Sequence, residues 1–217
     1  MDSPATLTIQ RARELLQSGE ITPGELTSAC LAVIEAKNPT LNVFAVKPSP
    51  DRSETQPKGE LSGIPIAIKD IIDVAALRTT AGSPRFFGHE PAVKDALVVD
   101  KLKYAGATIL GKVNTHEIAL GITGINPHTG PVRNPHNPQR ISGGSSSGSA
   151  AAVASGMALG ALGTDTGGSV RVPAALCGVV GFKPTFGRVS TRGVLPLSWN
   201  LDHVGVLAKT VADAALL

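Results

Sequence analysis

The chain is poor in rings, charge, cysteine and long apolar runs, and each shortage excludes a class of function. Aromatic residues make up 3% of it and charged residues 17%, against about a quarter charged in ordinary globular domains. Lysines and arginines are scattered, with no basic run and no interleaved rings, and the net charge is only +3. Direct nucleic-acid binding therefore has little to rest on. Two cysteines, Cys30 and Cys177, cannot make a disulfide framework or a cysteine metal cluster, and their apolar flanks make both buried thiols. His89, His116, His128, His136 and His203 show no H-x-x-x-H or H-x-H spacing, so no metal and no cofactor is expected. The longest apolar stretch, Ala150–Gly163, falls short of the roughly 20 residues a membrane span needs and is broken by Ser155 and glycines. The N-terminus, MDSPATLTIQRARELL, has no apolar signal-peptide core, so the expected compartment is the cytoplasm. Neither a G-x-x-x-x-G-K-[ST] nor a G-x-G-x-x-G phosphate loop occurs.

What is present is glycine, alanine and small apolar residues in a chain of 217, enough for one sizeable core packed closely at the backbone. Thr8 or Thr6 can cap a helix over about Ile9–Ser18 that Gly19 ends, with Ile9, Ala12, Leu15 and Leu16 on one stripe. Thr22-Pro23-Gly24-Glu25 is a capping box with proline in the first helical position. Leu26, Cys30, Val33 and Ile34 continue that helix until Asn38-Pro39 stops it. Asn42–Val46 reads as a short strand and Lys47–Glu60 as a surface connection. A strand over Gly63–Ile68, a helix over Ala92–Ala105 closed by Gly106, and a buried strand at Thr108–Leu110 follow. This alternation predicts one α/β domain over 1–217, helical to about 40 and with its core from about 61, whose sheet is covered by helices on both faces.

The chemistry concentrates in Gly143–Gly181, where two Gly/Ser turns flank a small-residue segment. The first, Gly143–Ser149, feeds a helix over Ala150–Ala158 whose orphan amides its hydroxyls can cap. The second is Asp165-Thr166-Gly167-Gly168-Ser169. Its glycines permit angles and close approaches that a Cβ resists, and consecutive N–H groups aimed at one point stabilise an oxyanion. Ahead of both lies Lys69. Strand alternation puts it with Pro65 and Ala67 on a small-residue face that leaves room for a cleft, while Ile64, Ile66, Ile68 and Asp70 share the core face. A lone lysine at a strand end is ordinarily solvated. A lysine that acts as a base near neutral pH must be brought from about 10.4 towards 7–8, a difference near ~4 kcal/mol that only burial supplies.

GGSSSGSAAAVA, GTDTGGSVRVPAALCGVVGFKPTFGRVS and, upstream, GIPIAIKD resemble the motifs of the amidase signature family, in that family's order. The likeness extends through Pro196–His203 and implies that fold's mixed β-sheet. It implies a Ser–Ser–Lys amidohydrolase with Ser169 as nucleophile, Ser145 as relay and Lys69 as base. The amides of Thr166, Gly167, Gly168 and Ser169 would form the oxyanion hole, and a small-molecule amide would be the substrate. Asp165 and Arg171 are expected to pair and hold the loop. The family usually carries GGSSGGS, so Ser147 is a departure; serine fits there if its φ is negative. It also creates a formal G-x-S-x-G at Gly144–Gly148, whose triad would need Asp202 or Asp165 with His203. The Ala-rich segment beside it is not the strand that such an elbow expects.

Cys177 is a rival nucleophile that its apolar setting disfavours. The family also includes the A subunit of tRNA-dependent amidotransferases, which would need partner subunits; Val172 in SVRVPA departs from the SIRQP of that protein. A homodimer is a further arrangement. The reading from another class is a non-catalytic scaffold that keeps the turns for packing. The final residues, Lys209–Leu217, open a helix at Thr210 that nothing closes. Family members usually continue well beyond this point. The expectation is therefore the N-terminal part of an enzyme, with apolar core surface left open on one side.

Overall fold

The computed structural model describes residues 3–46, 59–85, 87 and 89–217. Most of the connection read at 47–60 lies outside them. In chain order the elements are α1 (Ile9–Ser18), α2 (Pro23–Leu41), β1 (Pro65–Lys69), α3 (Leu97–Tyr104), β2 (Thr108–Val113), β3 (Arg133–Asn134), β4 (Asn137–Ile141), α4 (Ser147–Ser155), β5 (Gly160–Asp165), α5 (Arg171–Cys177), β6 (Val180–Phe182), β7 (His203–Ala208) and α6 (Val211–Leu216). A five-stranded sheet runs β2-β1-β5-β7-β6, and β3 and β4 form a separate hairpin. β2, β1 and β5 are parallel, as the intervening helices α3 and α4 require, whereas β7 runs antiparallel to both of its neighbours. The sheet is mixed, as expected.

Helices cover both faces. A Cβ on Gly163 would come within 2.7 Å of Ser146 Oγ at the head of α4, whereas one on Gly160, earlier on the same strand, would meet Ile9 of α1 and Leu217. Positions an odd number of residues apart on a strand point to opposite sides, so α4 lies on one face and α1 on the other. On the α1 face, between α3, α6 and the strands, an open cleft of about 740 Å³ is lined by Leu97, Val98, Leu102, Leu162 and Val206, with Phe182 55% exposed at its edge.

Several boundaries differ from the sequence expectation. Asn38-Pro39 does not stop α2, which runs to Leu41 and ends at Asn42 in the left-handed region, φ 54°. Proline in the last turn forfeits a single intrahelical bond, and Asn38 Oδ1 closes the end by accepting the Val43 and Phe44 amides, both at 2.8 Å. With those amides engaged, the strand read at 42–46 shrinks to a bridge between Phe44 and Val113. α3 starts at Leu97 rather than Ala92, because the Ala92 and Ala96 amides donate to Leu77 and Asp73 carbonyls. α4 begins and ends earlier than Ala150–Ala158, taking Ser147, Gly148 and Ser149 into its first turn. The caps at Thr8 and Thr22 form as read, the second as a full capping box.

Candidate active site

β1 carries the base candidate, and both of its faces are buried. The small-residue face is therefore not an open cleft: α4 packs on it, and Lys69 is 0% exposed. Alternation separates the two charged neighbours as expected. Asp70 turns away to meet Lys112 Nζ of β2 at 3.0 Å, and Lys112 also donates to Thr79 Oγ1 at 2.9 Å. Lys69 has no carboxylate within ion-pair distance among the described residues. Its Nζ lies 2.6 Å from Ser145 Oγ and 2.7 Å from Thr164 Oγ1. Burial pulls its pKa from 10.5 down to about 7, against the opposing fields of Asp165 and Asp202. Two buried lysines on adjacent strands thus differ in kind: Lys112 is held by a carboxylate, and Lys69 is held only by hydroxyls.

Ser145 is fully buried and its backbone is pinned from outside the turn. Its carbonyl accepts from Thr115 Oγ1 at 2.9 Å and from the His116 amide at 3.2 Å. The preceding glycine is required, since a Cβ on Gly144 would sit 2.8 Å from the Gly124 amide. Ser146 is the N-cap of α4, yet its hydroxyl does not cap the helix. It donates to the Thr164 carbonyl at 3.1 Å and accepts from the Thr164 amide at 3.2 Å. The Ser146 amide in turn donates to the Ser169 carbonyl at 3.1 Å. Sequence-distant turns are thereby stitched together at the residues next to Ser145 and at Ser169 itself. Ser147 adopts helical angles, and its hydroxyl faces the Asn114 and Ser145 carbonyls, both at 3.4 Å.

Ser169 is 6% exposed at the end of the second turn, immediately before α5, whose N-cap position is Val170. Asp165 organises that turn. Its carboxylate accepts two bonds from Arg171, Nε at 3.0 Å and an Nη at 2.8 Å, together with the Gly168 amide at 2.7 Å and the Val170 amide at 3.1 Å. Burial alone would raise its pKa, but the Arg171 guanidinium and the two amides outweigh it and hold the group at about 2. Of the four amides read as oxyanion donors, Gly168 is thus already engaged. Those of Thr166, Gly167 and Ser169 have no acceptor among the described residues. Gly168, at φ 124°, occupies a conformation that side chains resist.

The rivals are placed elsewhere. The Cys177 thiol faces the Ser142 carbonyl at 3.3 Å, and burial pushes its pKa up to about 12. His203 Nδ1 lies against the Leu201 and Asp165 carbonyls, at 2.7 and 3.1 Å, and its ring meets Phe186 edge to face. Among the described residues no carboxylate orients it, so the G-x-S-x-G reading gains no triad there. Among the described residues no metal-binding group of His, Cys, Asp or Glu forms, and no helix is long and apolar enough to cross a membrane. Two participants escaped the sequence reading. Thr164 could have been found from its place in GTDTGGS; Lys112 was hidden because the strand was ended at Leu110.

Known proteins resemble this chain in sequence and in fold. The glutamyl-tRNA(Gln) amidotransferase A subunit of Roseiflexus castenholzii is 47% identical over 97% of this chain and 45% of its own length. Its counterpart from Thermotoga maritima, in a crystal structure, superimposes with a TM-score of 0.89 at 42% identity, over all of this chain and 46% of that one. The peptide amidase of Stenotrophomonas maltophilia gives 0.89 at 38% identity over 96% and 46%. The chain spans about half the length of the curated relatives it matches. The profile of the Amidase family matches residues 25–217, from the start of α2 through Lys69, both serine turns and α6, and the chain belongs to that amidase signature family.

Proposed function

We propose that the chain carries the catalytic relay of an amide hydrolase. The observation that supports it best is the contact of a fully buried lysine, with a pKa near 7, on Ser145 at 2.6 Å and with no carboxylate paired to it among the described residues. Neutral Lys69 takes the Ser145 proton while Ser145 takes that of Ser169, and the Ser169 oxygen bonds to the amide carbonyl carbon. The Thr166, Gly167 and Ser169 amides hold the resulting oxyanion. Lys69 and Ser145 return the proton to the amine as the C–N bond breaks. Water then attacks the acyl-enzyme by the same route, releasing the acid and restoring Ser169. Asp165 and Arg171 keep the turn in shape and do no proton transfer.

The test is a serine-reactive phosphonate with mass analysis of the peptide containing residue 169, followed by a panel of amides. Ser169→Ala should abolish labelling and Cys177→Ala should leave it intact. A label that follows Cys177 overturns the assignment, and a protein that takes none is a scaffold.

One observation favours a narrower second reading. Curated relatives at 43–47% identity carry the name of the glutamyl-tRNA(Gln) amidotransferase A subunit. On that reading the amide is glutamine, and the ammonia passes to partner subunits. Ammonia release from glutamine that rises when such subunits are added supports it; turnover of simple amides by the chain alone supports the first.

A further inference from the structure

A single carboxylate ties the loop before β7 to the nucleophile turn. Asp202 Oδ1 accepts from Thr166 Oγ1 at 2.5 Å, and its Oδ2 accepts the Leu197 and Ser198 amides at 2.8 and 2.9 Å. The Leu201 and Asp202 amides close back on the Ser198 carbonyl at 3.2 and 3.0 Å. The result is a tight loop that leaves Trp199 83% and Leu201 56% exposed. Asp165 pairs with His203 in the β5–β7 ladder, so Thr166 and Asp202 face each other where the two strands part. Thr166 is also the first residue of the turn whose amides lead to Ser169.

We propose that Asp202 is a positioning residue for Ser169, locking the Thr166–Gly168 backbone and the Trp199 loop into one unit so that donors and rim move together. This rests on Ser169 being the nucleophile. The donor set explains why a carboxylate stands here: three donors from two segments converge on two oxygens, and a carboxylate accepts from all of them without offering a hydrogen that must be placed. Asparagine can keep the geometry by turning its oxygen to the two amides and its NH2 to the Thr166 oxygen. Alanine can keep neither side. Asp202 also acts on Lys69 through its field, alongside Asp165 at the end of β5, with His116 after β2 and Arg171 behind Asp165 as the other charged or titratable groups around the lysine. Removing the Asp202 charge leaves burial less opposed, so the lysine loses its proton at lower pH.

The experiment compares the wild type with Asp202→Asn, Asp202→Ala and Thr166→Val in the full chain. Three readouts are taken: amide hydrogen exchange over 165–170 and 196–202, fluorescence anisotropy of Trp199, and the pH dependence of phosphonate labelling. Trp199 is the chain's only tryptophan, so its emission reports this loop alone. Asp202→Ala is expected to speed exchange in both segments about tenfold and to lower the anisotropy of Trp199 emission. Thr166→Val, which removes one hydrogen bond and leaves the loop's own bonds, should loosen both segments in the same direction. Asp202→Asn should restore protection, yet move the acid limb of labelling to lower pH, which a purely structural role would not do. Unchanged exchange and anisotropy in the alanine and valine variants overturn the proposal, as does an acid limb that Asp202→Asn leaves in place. If Asp202→Ala fails to fold, Thr166→Val decides alone. Absence of label on wild-type Ser169 sinks the proposed function, while exchange and anisotropy still decide whether Asp202 locks the turn.

Discussion

Replacing Lys69 by methionine should stabilise the protein near neutral pH, and the gain should vanish as the pH rises. In the native chain the lysine titrates at about 7, against an ordinary 10.5. The unfolded chain therefore binds more protons throughout the interval between those values, and wild-type stability climbs with pH across it. Integrated, burial of this amine costs about 4 kcal/mol at pH 7 and about 2 kcal/mol at pH 9. Methionine fills a similar volume without the charge and gives up the hydrogen bonds to Ser145 and Thr164, worth about 1 kcal/mol each. The variant should then be more stable by about 2 kcal/mol at pH 7 and equal to the wild type at pH 9. In a chain of this size the gap at pH 7 is about 4–8 °C in Tm. Urea or thermal melts of both proteins at matched pH values provide the assay, and their difference is the quantity to plot. The Cys30 and Cys177 thiols, both raised to about 12, and Lys112 and Lys209, both lowered, titrate alike in the two proteins and cancel. Parallel stability curves would refute the reasoning, because they would mean that Lys69 does not change its charge near pH 7.

Because Ser145 and Lys69 share one hydrogen bond and one proton path, the losses in Ser145→Ala, Lys69→Ala and the double variant should be strongly non-additive in labelling rate; losses that multiply would dissolve the relay. Asp165→Asn should cost about 2 kcal/mol at pH 7, judged from a native pKa of about 2 against 3.8. That stability is present above 3.8 and lost as the pH falls through 2, so wild type and variant should converge in acid melts. Gly148→Ala should cost about 2 kcal/mol, since its Cβ would lie 2.5 Å from the Asn114 carbonyl oxygen, a backbone atom that cannot yield without moving the end of β2. A melt of that variant matching the wild type would show the contact to be soft.

Local signals make much of this molecule legible in its sequence. The Thr22–Glu25 box, the Gly19 terminus and the alternation that parts Lys69 from Asp70 are all set by neighbours a few residues apart, and they form as read. What could not be read depends on distant partners. α3 starts late because Leu77 and Asp73 carbonyls claim the amides of residues 92 and 96. The hydroxyls of the first serine turn read as caps for the helix that follows, yet that of Ser146 serves Thr164, 18 residues ahead. The Gly168 amide looks free in a glycine turn, yet Asp165 takes it from three residues back. Thr164 resembles any strand threonine until β1 and β5 lie side by side and bring Lys69 to its hydroxyl.

The scarcity of rings and charges, which at first only excludes functions, follows from what Lys69 requires. An amine kept near pKa 7 must lose its water without gaining a carboxylate, so its surroundings must be close-packed and nearly neutral. The elements packed around it are built of small residues: Ala150, Ala151, Ala152 and Val153 on α4, Ala67 on β1, and Ala161 and Gly163 on β5 are all buried. A larger side chain at Gly163 would collide with Ser146 and push the head of α4 away from the sheet. Ser145 rides on that helix end, 2.6 Å from the lysine, so an ångström of retreat would break the hydrogen bond and admit water beside the amine. Of the nearby carboxylates, Asp70 is turned aside to Lys112, Asp165 is paired with Arg171 and Asp202 is held by the Thr166 hydroxyl and two amides, so the fields of Asp165 and Asp202 oppose burial without overcoming it. Small residues set the distance, and the distance sets the base.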